Sequence, residues 1–185
     1  RSMFFEKRLT LSDHELAWRN RDLQKRAQAF IDQQSHIQHA HIYLSMSPKN
    51  EADTFPLINW LLKEKQVSVY SSRTFFKERR LSHHLIRSTD DFRYDAKGIP
   101  EPIQTENINP EQFDLVLVPL ISFDRKGNRI GYGAGLYDRF LKTIRPDCLK
   151  VGYCLTPPLD LISDTNEFDI RLDYCLNHLD TYSFA

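Results

Sequence analysis

Residues 115–118 read Leu-Val-Leu-Val, with no polar position. A strand wet on one side alternates apolar and polar residues, whereas a strand covered on both faces is apolar throughout. The run therefore predicts a strand inside a parallel sheet with helices on either side. A strand pattern at 41–45 (H-I-Y-L-S), a helix opened by Pro56 and a strand at 66–70 (Q-V-S-V-Y) add a β-α-β unit. Proline suits a first helical turn because it lacks the N–H that goes unpaired there. Leu57, Ile58, Leu61 and Leu62 supply that helix with its buried stripe. Upstream, S-D-H-E at 12–15 reads as a capping box opening a helix over 13–34, with Leu16, Leu23, Ala27, Phe30 and Ile31 at helical spacing. Residues 3–8 predict a short helix, 136–144 a further one, and 149–153 and 174–176 further strands. The weak polar pattern of 79–87 predicts an edge strand, and 88–112 reads as mainly loop, punctuated by Gly98, Pro100, Pro102 and Pro110. The expected fold class is α/β: a three-layer sandwich with a mostly parallel central sheet, in one domain over 1–185.

Twenty-five basic and twenty-five acidic side chains balance, which argues against a nucleic-acid or anionic-membrane partner. Cys148, Cys154 and Cys175 are odd in number and lack C-x-x-C spacing, so buried reduced thiols are expected rather than disulfides or zinc ligands. The histidines, among them His36, His39, His41, His83 and His84, form no H-E-x-x-H pattern and read as surface or edge residues. Trp18 and Trp60 read as core. No leader pattern and no run of eighteen apolar residues stands out, which points to the cytoplasm.

Gly131, Gly133 and Gly135 alternate between a strand region and a helix start. Glycine lets the backbone take positive φ and approach a ligand closely. A helix start presents free N–H groups. The run is neither a dinucleotide fingerprint nor a P-loop, so a phosphate cradle and a plain tight turn both remain open. Arg129 stands just before it. Asp138 in the first helical turn is stabilising there with or without a metal. Glu51 reads equally as a solvated loop charge, and Tyr137 lies on an apolar stripe with Leu136, Phe140 and Leu141.

The longer string is more specific. Val118, Pro119, Phe123, Asp124, Gly127, Arg129, Gly131, Gly133, Gly135, Tyr137, Asp138 and Arg139 match V-P-x-x-x-F-D followed by G-x-R-x-G-x-G-x-G-x-Y-D-R. This resembles the signature of the 5-formyltetrahydrofolate cyclo-ligase (methenyltetrahydrofolate synthetase) family. Tyr43-Leu44-Ser45 with Glu51 and Thr54, the turn at 98–102 (G-I-P-E-P), and the acidic stretch Asn166-Glu167-Phe168-Asp169 with Asp173 are similar to other family segments in the same order. The resemblance implies a fold similar to ribose-5-phosphate isomerase and the CoA transferases. It implies conversion of 5-formyltetrahydrofolate and ATP to 5,10-methenyltetrahydrofolate, ADP and phosphate, with Mg2+ as cofactor. Its partners would be small molecules only, and the chain a monomer. By the same resemblance, Arg129 and Tyr137 are catalytic, and Arg129, Ile130, Gly131, Tyr132, Gly133, Ala134, Gly135, Leu136 and Tyr137 form the ATP loop. Arg1 matches the arginine of an N-terminal K-x-x-x-R motif that reaches ATP phosphates. Leu44, Glu51, Tyr132, Leu136 and Tyr137 contact the folate, Glu51 through the pterin. Asp138 and Asp169 hold magnesium.

Three positions depart from the pattern: Tyr132 stands where the family usually has arginine, Ala134 where it often has glycine or lysine, and Leu136 where it has tyrosine. A lost charged hydrogen bond costs about 1.5–3 kcal/mol, roughly ten- to a hundredfold in rate. The departures thus predict a weakened or retuned enzyme rather than a dead one, with Arg129, Arg125 or Lys126 partly replacing the charge. The alternatives are a non-catalytic folate- or nucleotide-binding relative, and a sugar-phosphate isomerase or transferase of the same fold.

Overall fold

The computed structural model describes residues 2–184. Arg1 lies outside them. Helix α1 (Ser2–Leu9) leads into α2 (Asp13–Asp32), which opens on the expected capping box. The Ser12 hydroxyl accepts the Glu15 N–H at 3.3 Å, and the Glu15 carboxylate accepts the Ser12 N–H at 3.2 Å. Strand β1 (His39–Ile42) follows, then α3 (Phe55–Trp60), β2 (Ser68–Phe75) and β3 (Arg80–Ile86). The helix of α3 continues as a π turn over Leu61–Lys65. It stops where Gln66 turns left-handed at φ 54°.

The segment expected to be loop contains a small hairpin, β4 (Phe92–Tyr94) against β5 (Pro100–Pro102). Strand β6 is Leu115–Pro119, and β7 (Ser122–Phe123) pairs with β8 (Arg129–Ile130). Helix α4 covers only Leu136–Phe140, and the chain then passes through turns to β9 (Leu149–Tyr153). Strand β10 (Tyr174–Leu176) has an antiparallel neighbour, β11 (Thr181–Ser183), that the sequence pattern did not suggest.

The seven-stranded sheet runs β11-β10-β9-β6-β1-β2-β3. Strands β10, β9, β6, β1 and β2 are mutually parallel, and β11 and β3 close the edges antiparallel. The apolar run of β6 lies between β1 and β9, and its residues alternate between two cores. Leu115 and Leu117 pack with Leu23, Phe30, Leu57 and Ile58 from α2 and α3. Val116 and Val118 pack with Phe113, Phe140 and Leu141 on the α4 side. Burying one such side chain contributes about 1.5–3 kcal/mol. The result is a three-layer α/β sandwich. The chain moves from β1 to β2 on one side of β1 and returns to β6 on the other. A sheet that reverses direction in this way leaves a crevice beyond the carboxyl ends of the two central strands.

The histidine expectation needs correction. His41, in the centre of the sheet, is fully buried, and His83 and His84 are buried although they lie on edge strand β3. His41 Nε2 hydrogen-bonds Ser72 Oγ at 2.7 Å, which in turn meets His83 Nδ1 at 3.2 Å. A neutral imidazole can be buried where a charged one cannot. Burial accordingly holds the His41 pKa well below its ordinary value and pushes that of His83 down to about 4. The three cysteines are buried free thiols, as expected. Trp18 and Trp60 are half-buried.

Candidate active site

Two loops from the carboxyl ends of β1 and β6 build the crevice. Beyond β1 the chain stays buried through Tyr43, Leu44 and Ser45. The Thr54 hydroxyl donates to the Tyr43 carbonyl at 2.6 Å and accepts the Ser45 N–H at 3.2 Å. These bonds cinch the two ends of the intervening loop. Asn50 turns it left-handed at φ 46°. Glu51 is thereby directed inward, only 6% exposed, where its Oε2 accepts the Met46 N–H at 2.7 Å. It is not a solvated loop charge. Burial raises its pKa, while hydrogen bonds from Tyr132 and Met46 act in the opposite direction.

Beyond β6, the F-D-x-x-G stretch organises a turn rather than a reaction. Asp124 is fully buried. Its carboxylate accepts the N–H groups of Lys126, Asn128 and Ile162 and the Asn128 side-chain amide, at 2.8–3.0 Å. Gly127 stands at φ 80°, with no room for a Cβ beside Phe184. The glycine turn follows. Gly133 and Gly135 need glycine for geometry, at φ 94° and 64°. Gly131 does not: its φ is not positive, and a Cβ there would meet only open space. That space belongs to the crevice, the condition under which a small residue serves close approach of a ligand.

The charged residues around this turn pair with one another. Arg129 Nη2 donates to Asp138 Oδ1 at 2.6 Å, and Nη1 donates to the Ile170 carbonyl. The Ile170 N–H donates to the same Asp138 oxygen at 3.1 Å. This bond set brings the loop before β10 against the glycine turn, together with Asp169, whose Oδ2 accepts the Asn166 N–H at 2.9 Å. Arg129 is therefore an anchor between α4 and that loop, and it also lines the cleft. The charge beside Tyr132 has a different source. Arg125 faces solvent near Asp160, whereas the Tyr132 hydroxyl accepts from buried Arg8 at 2.7 Å and Lys49 lies 5.0 Å from its ring. The Tyr132 hydroxyl donates to Glu51 Oε1, so the first gap of the glycine run is turned toward the β1 loop.

A cleft of about 690 Å³ results, and every described residue of the predicted site lines it: Leu44, Glu51, the whole stretch from Arg129 to Asp138, and Asp169. Tyr137 joins the core to the cleft. Its ring packs in the α4-side core, 5.7 Å from Phe140 and 6.3 Å from His41, while the residue also borders the cleft. Burial pushes its pKa far up, so the phenol stays protonated. The sequence reading missed Arg8, Lys49 and Ser72. Nothing in their local pattern marks them, since Arg8 looks like an ordinary basic residue in a last helical turn.

The model of the 5-formyltetrahydrofolate cyclo-ligase family matches residues 1–157. The chain belongs to this family. The 5-formyltetrahydrofolate cyclo-ligase of Mycoplasma pneumoniae is 25% identical over 178 residues, 96% of this chain and 95% of that one. The one from Haemophilus influenzae is 34% identical over 105 residues, 55% and 56% of the two chains. In structure, the 5,10-methenyltetrahydrofolate synthetase of Aquifex aeolicus superposes with a TM-score of 0.83 at 26% identity, over 99% of this chain and 90% of that one. The fold recurs in the Mycoplasma pneumoniae synthetase at TM-score 0.73 and 22% identity. As a cyclo-ligase family member the chain is read as a ligase.

Two carboxylates at the cleft have the chemistry to suit a magnesium ion. Asp138 Oδ2 and Asp169 Oδ1 accept no hydrogen bond among the described residues, and both residues border the cleft. Magnesium keeps several waters and is usually held by one or two carboxylates plus substrate phosphates.

Proposed function

We propose that the protein closes 5-formyltetrahydrofolate to 5,10-methenyltetrahydrofolate at the expense of ATP, releasing ADP and phosphate, with magnesium as cofactor. The observation that carries the reading is a buried carboxylate, Glu51, facing a glycine turn across one cleft. The two halves suit two different ligands. Glu51 takes the N–H donors of a pterin ring, and Leu44 provides an apolar wall beside it. The turn at 131–135 takes phosphate oxygens on backbone N–H groups at the start of α4, which no side chain caps.

The chemical difficulty is that a formamide oxygen leaves poorly. The formyl oxygen attacks the γ-phosphorus and ADP departs. The N10 lone pair then attacks the activated carbon, the N10 proton is lost, and phosphate leaves with the formyl oxygen. Little covalent chemistry falls to the protein, so positioning and charge neutralisation dominate. Arg129 holds Asp138 and the 166–170 loop in register with the turn. Tyr137, whose pKa burial raises, borders the cleft as a protonated phenol that can donate a hydrogen bond. Asp138 and Asp169 would hold magnesium, which when bound neutralises phosphate charge. The reading extends to one domain over 1–185 that works as a monomer in the cytoplasm on small molecules alone.

The test is turnover of 5-formyltetrahydrofolate with ATP and magnesium, followed by absorbance of the methenyl product, with ATP omitted as control. ATP-dependent product is expected. Folate binding without product would instead leave a binding protein that lacks the phosphate chemistry.

A further inference from the structure

Arg8 is the one buried residue of α1, at 2% exposure. A buried guanidinium needs partners. Its Nη1 donates to the Leu120 carbonyl at 3.3 Å and its Nη2 to the Tyr132 hydroxyl at 2.7 Å, while Nε has no partner among the described residues. The Tyr132 ring is also held from outside, with the Arg8 guanidinium 5.6 Å and the Lys49 ammonium 5.0 Å from its centre and the Phe5 ring edge-on at 6.5 Å.

The arginine end sets the direction of this chain of bonds. Arginine donates only and keeps its charge. Tyr132 Oη therefore accepts from Arg8, and its single proton goes to Glu51 Oε1. Glu51 Oε2 faces a second donor, the Met46 N–H. A carboxylate meets both donors as an acceptor and keeps a lone pair on each oxygen, whereas a protonated carboxyl gives up part of that acceptor capacity to its own O–H; Glu51 lines the cleft.

We infer that Arg8 is a positioning residue for the folate half of the cleft: through Tyr132 it holds Glu51 as an aimed anion that accepts the paired N–H donors of a pterin-type ring. This rests on the reaction proposed above. It also gives the tyrosine at 132 a role of its own. Burial alone favours the neutral acid at Glu51, and contacts from Tyr132, Met46 and Arg8 counter it. Removing the phenol hydroxyl should let Glu51 take up a proton at higher pH, and a neutral acid presents an O–H donor where the carboxylate only accepts.

Tyr132→Phe deletes one oxygen and keeps the ring, so it tests the relay with little risk to folding. KM and kcat for both substrates would be measured from about pH 5 to 8 in the wild type, Tyr132→Phe, Arg8→Met and the double variant. KM for 5-formyltetrahydrofolate should rise about tenfold or more in Tyr132→Phe, with KM for ATP unchanged. The acid limb of kcat/KM should move to higher pH. Arg8→Met should act alike, and the double variant should be no worse than the worse single one, because both cut one chain of bonds. A rise in KM for ATP alone would assign Arg8 to the phosphate half and overturn the inference. Additive losses with an unmoved acid limb would overturn it in favour of plain packing. If Arg8→Met does not fold, Tyr132→Phe decides alone. Wild-type turnover tests the reaction, while the pH dependence of 5-formyltetrahydrofolate binding by calorimetry tests the relay even in a chain that does not turn over.

Discussion

Arg129 and Asp138 meet at 2.6 Å across the glycine turn, their side chains 6% and 26% exposed. Each was expected to face a ligand, the arginine a phosphate and the aspartate a metal, and each instead spends its first interaction on the other. Leaving one member of a buried pair alone costs about 3–5 kcal/mol. Arg129→Ala should therefore lose roughly 3 kcal/mol of stability, read from the midpoint of a urea titration. Asp138→Asn keeps an acceptor for the Ile170 N–H but weakens the pair. It should raise the magnesium concentration needed for half-maximal activity. An unchanged magnesium requirement would count against Asp138 as a ligand.

Gly131 and Gly135 separate geometry from ligand approach. Ala at 135 must adopt φ near 64°, a left-handed conformation that costs an L-residue about 1–2 kcal/mol. Ala at 131 meets open space and should leave stability unchanged or raise it by about 0.4–1 kcal/mol. If the turn cradles phosphate, Gly131→Ala nevertheless raises KM for ATP. Thermal melts beside steady-state kinetics would show stability and affinity moving apart at 131 and together at 135.

The buried histidines make stability sensitive to pH. His41, His83 and His84 all have lowered pKa values, with burial as the main cause, and His83 reaches about 4. The unfolded chain then binds protons near the ordinary histidine value while the folded one does not. Stability is full above that value and falls as pH drops from about 6.5 toward 4, by about 1.4 kcal/mol per pH unit for each proton of difference. Urea titrations at stepped pH should show this slope, and His83→Gln should reduce it. A slope unchanged by that substitution would mean His83 titrates normally.

Leu117 in β6 tests the two-faced strand. It is 1% exposed, in the core shared with α2 and α3. Leu117→Ala should cost about 2–5 kcal/mol by chemical denaturation, far more than Leu→Ala at exposed Leu161.

Much of the fold was legible because its causes are local. The Ser12–Glu15 capping box, the apolar run of β6 and the β-α-β spacing each act within a few residues, and α2, β6, β9 and β10 appear where the pattern placed them. Boundaries were less legible. Strand β1 begins two residues before the expected one, because pairing with β2 and β6 rather than propensity determines where a strand starts. Strand β11 is held by its pairing with β10, which no short window contains. The site was legible as a set of residues but not as a set of contacts. The motif order along the chain named Leu44, Glu51, the 129–138 stretch and Asp169, and all border one cleft.

Local pattern carries an inventory: the α/β class, the glycine turn, and the family to which the ordered motifs belong. The partner of each charge emerges only in three dimensions. Arg8 lies 124 positions from Tyr132, and Tyr132 lies 81 from Glu51. The energy of an ionic or hydrogen-bonded contact depends on separation in space and on the surrounding dielectric. Neither is a property of spacing along the chain, so the same inventory becomes a particular site only once the sheet has brought the ends of β1 and β6 together.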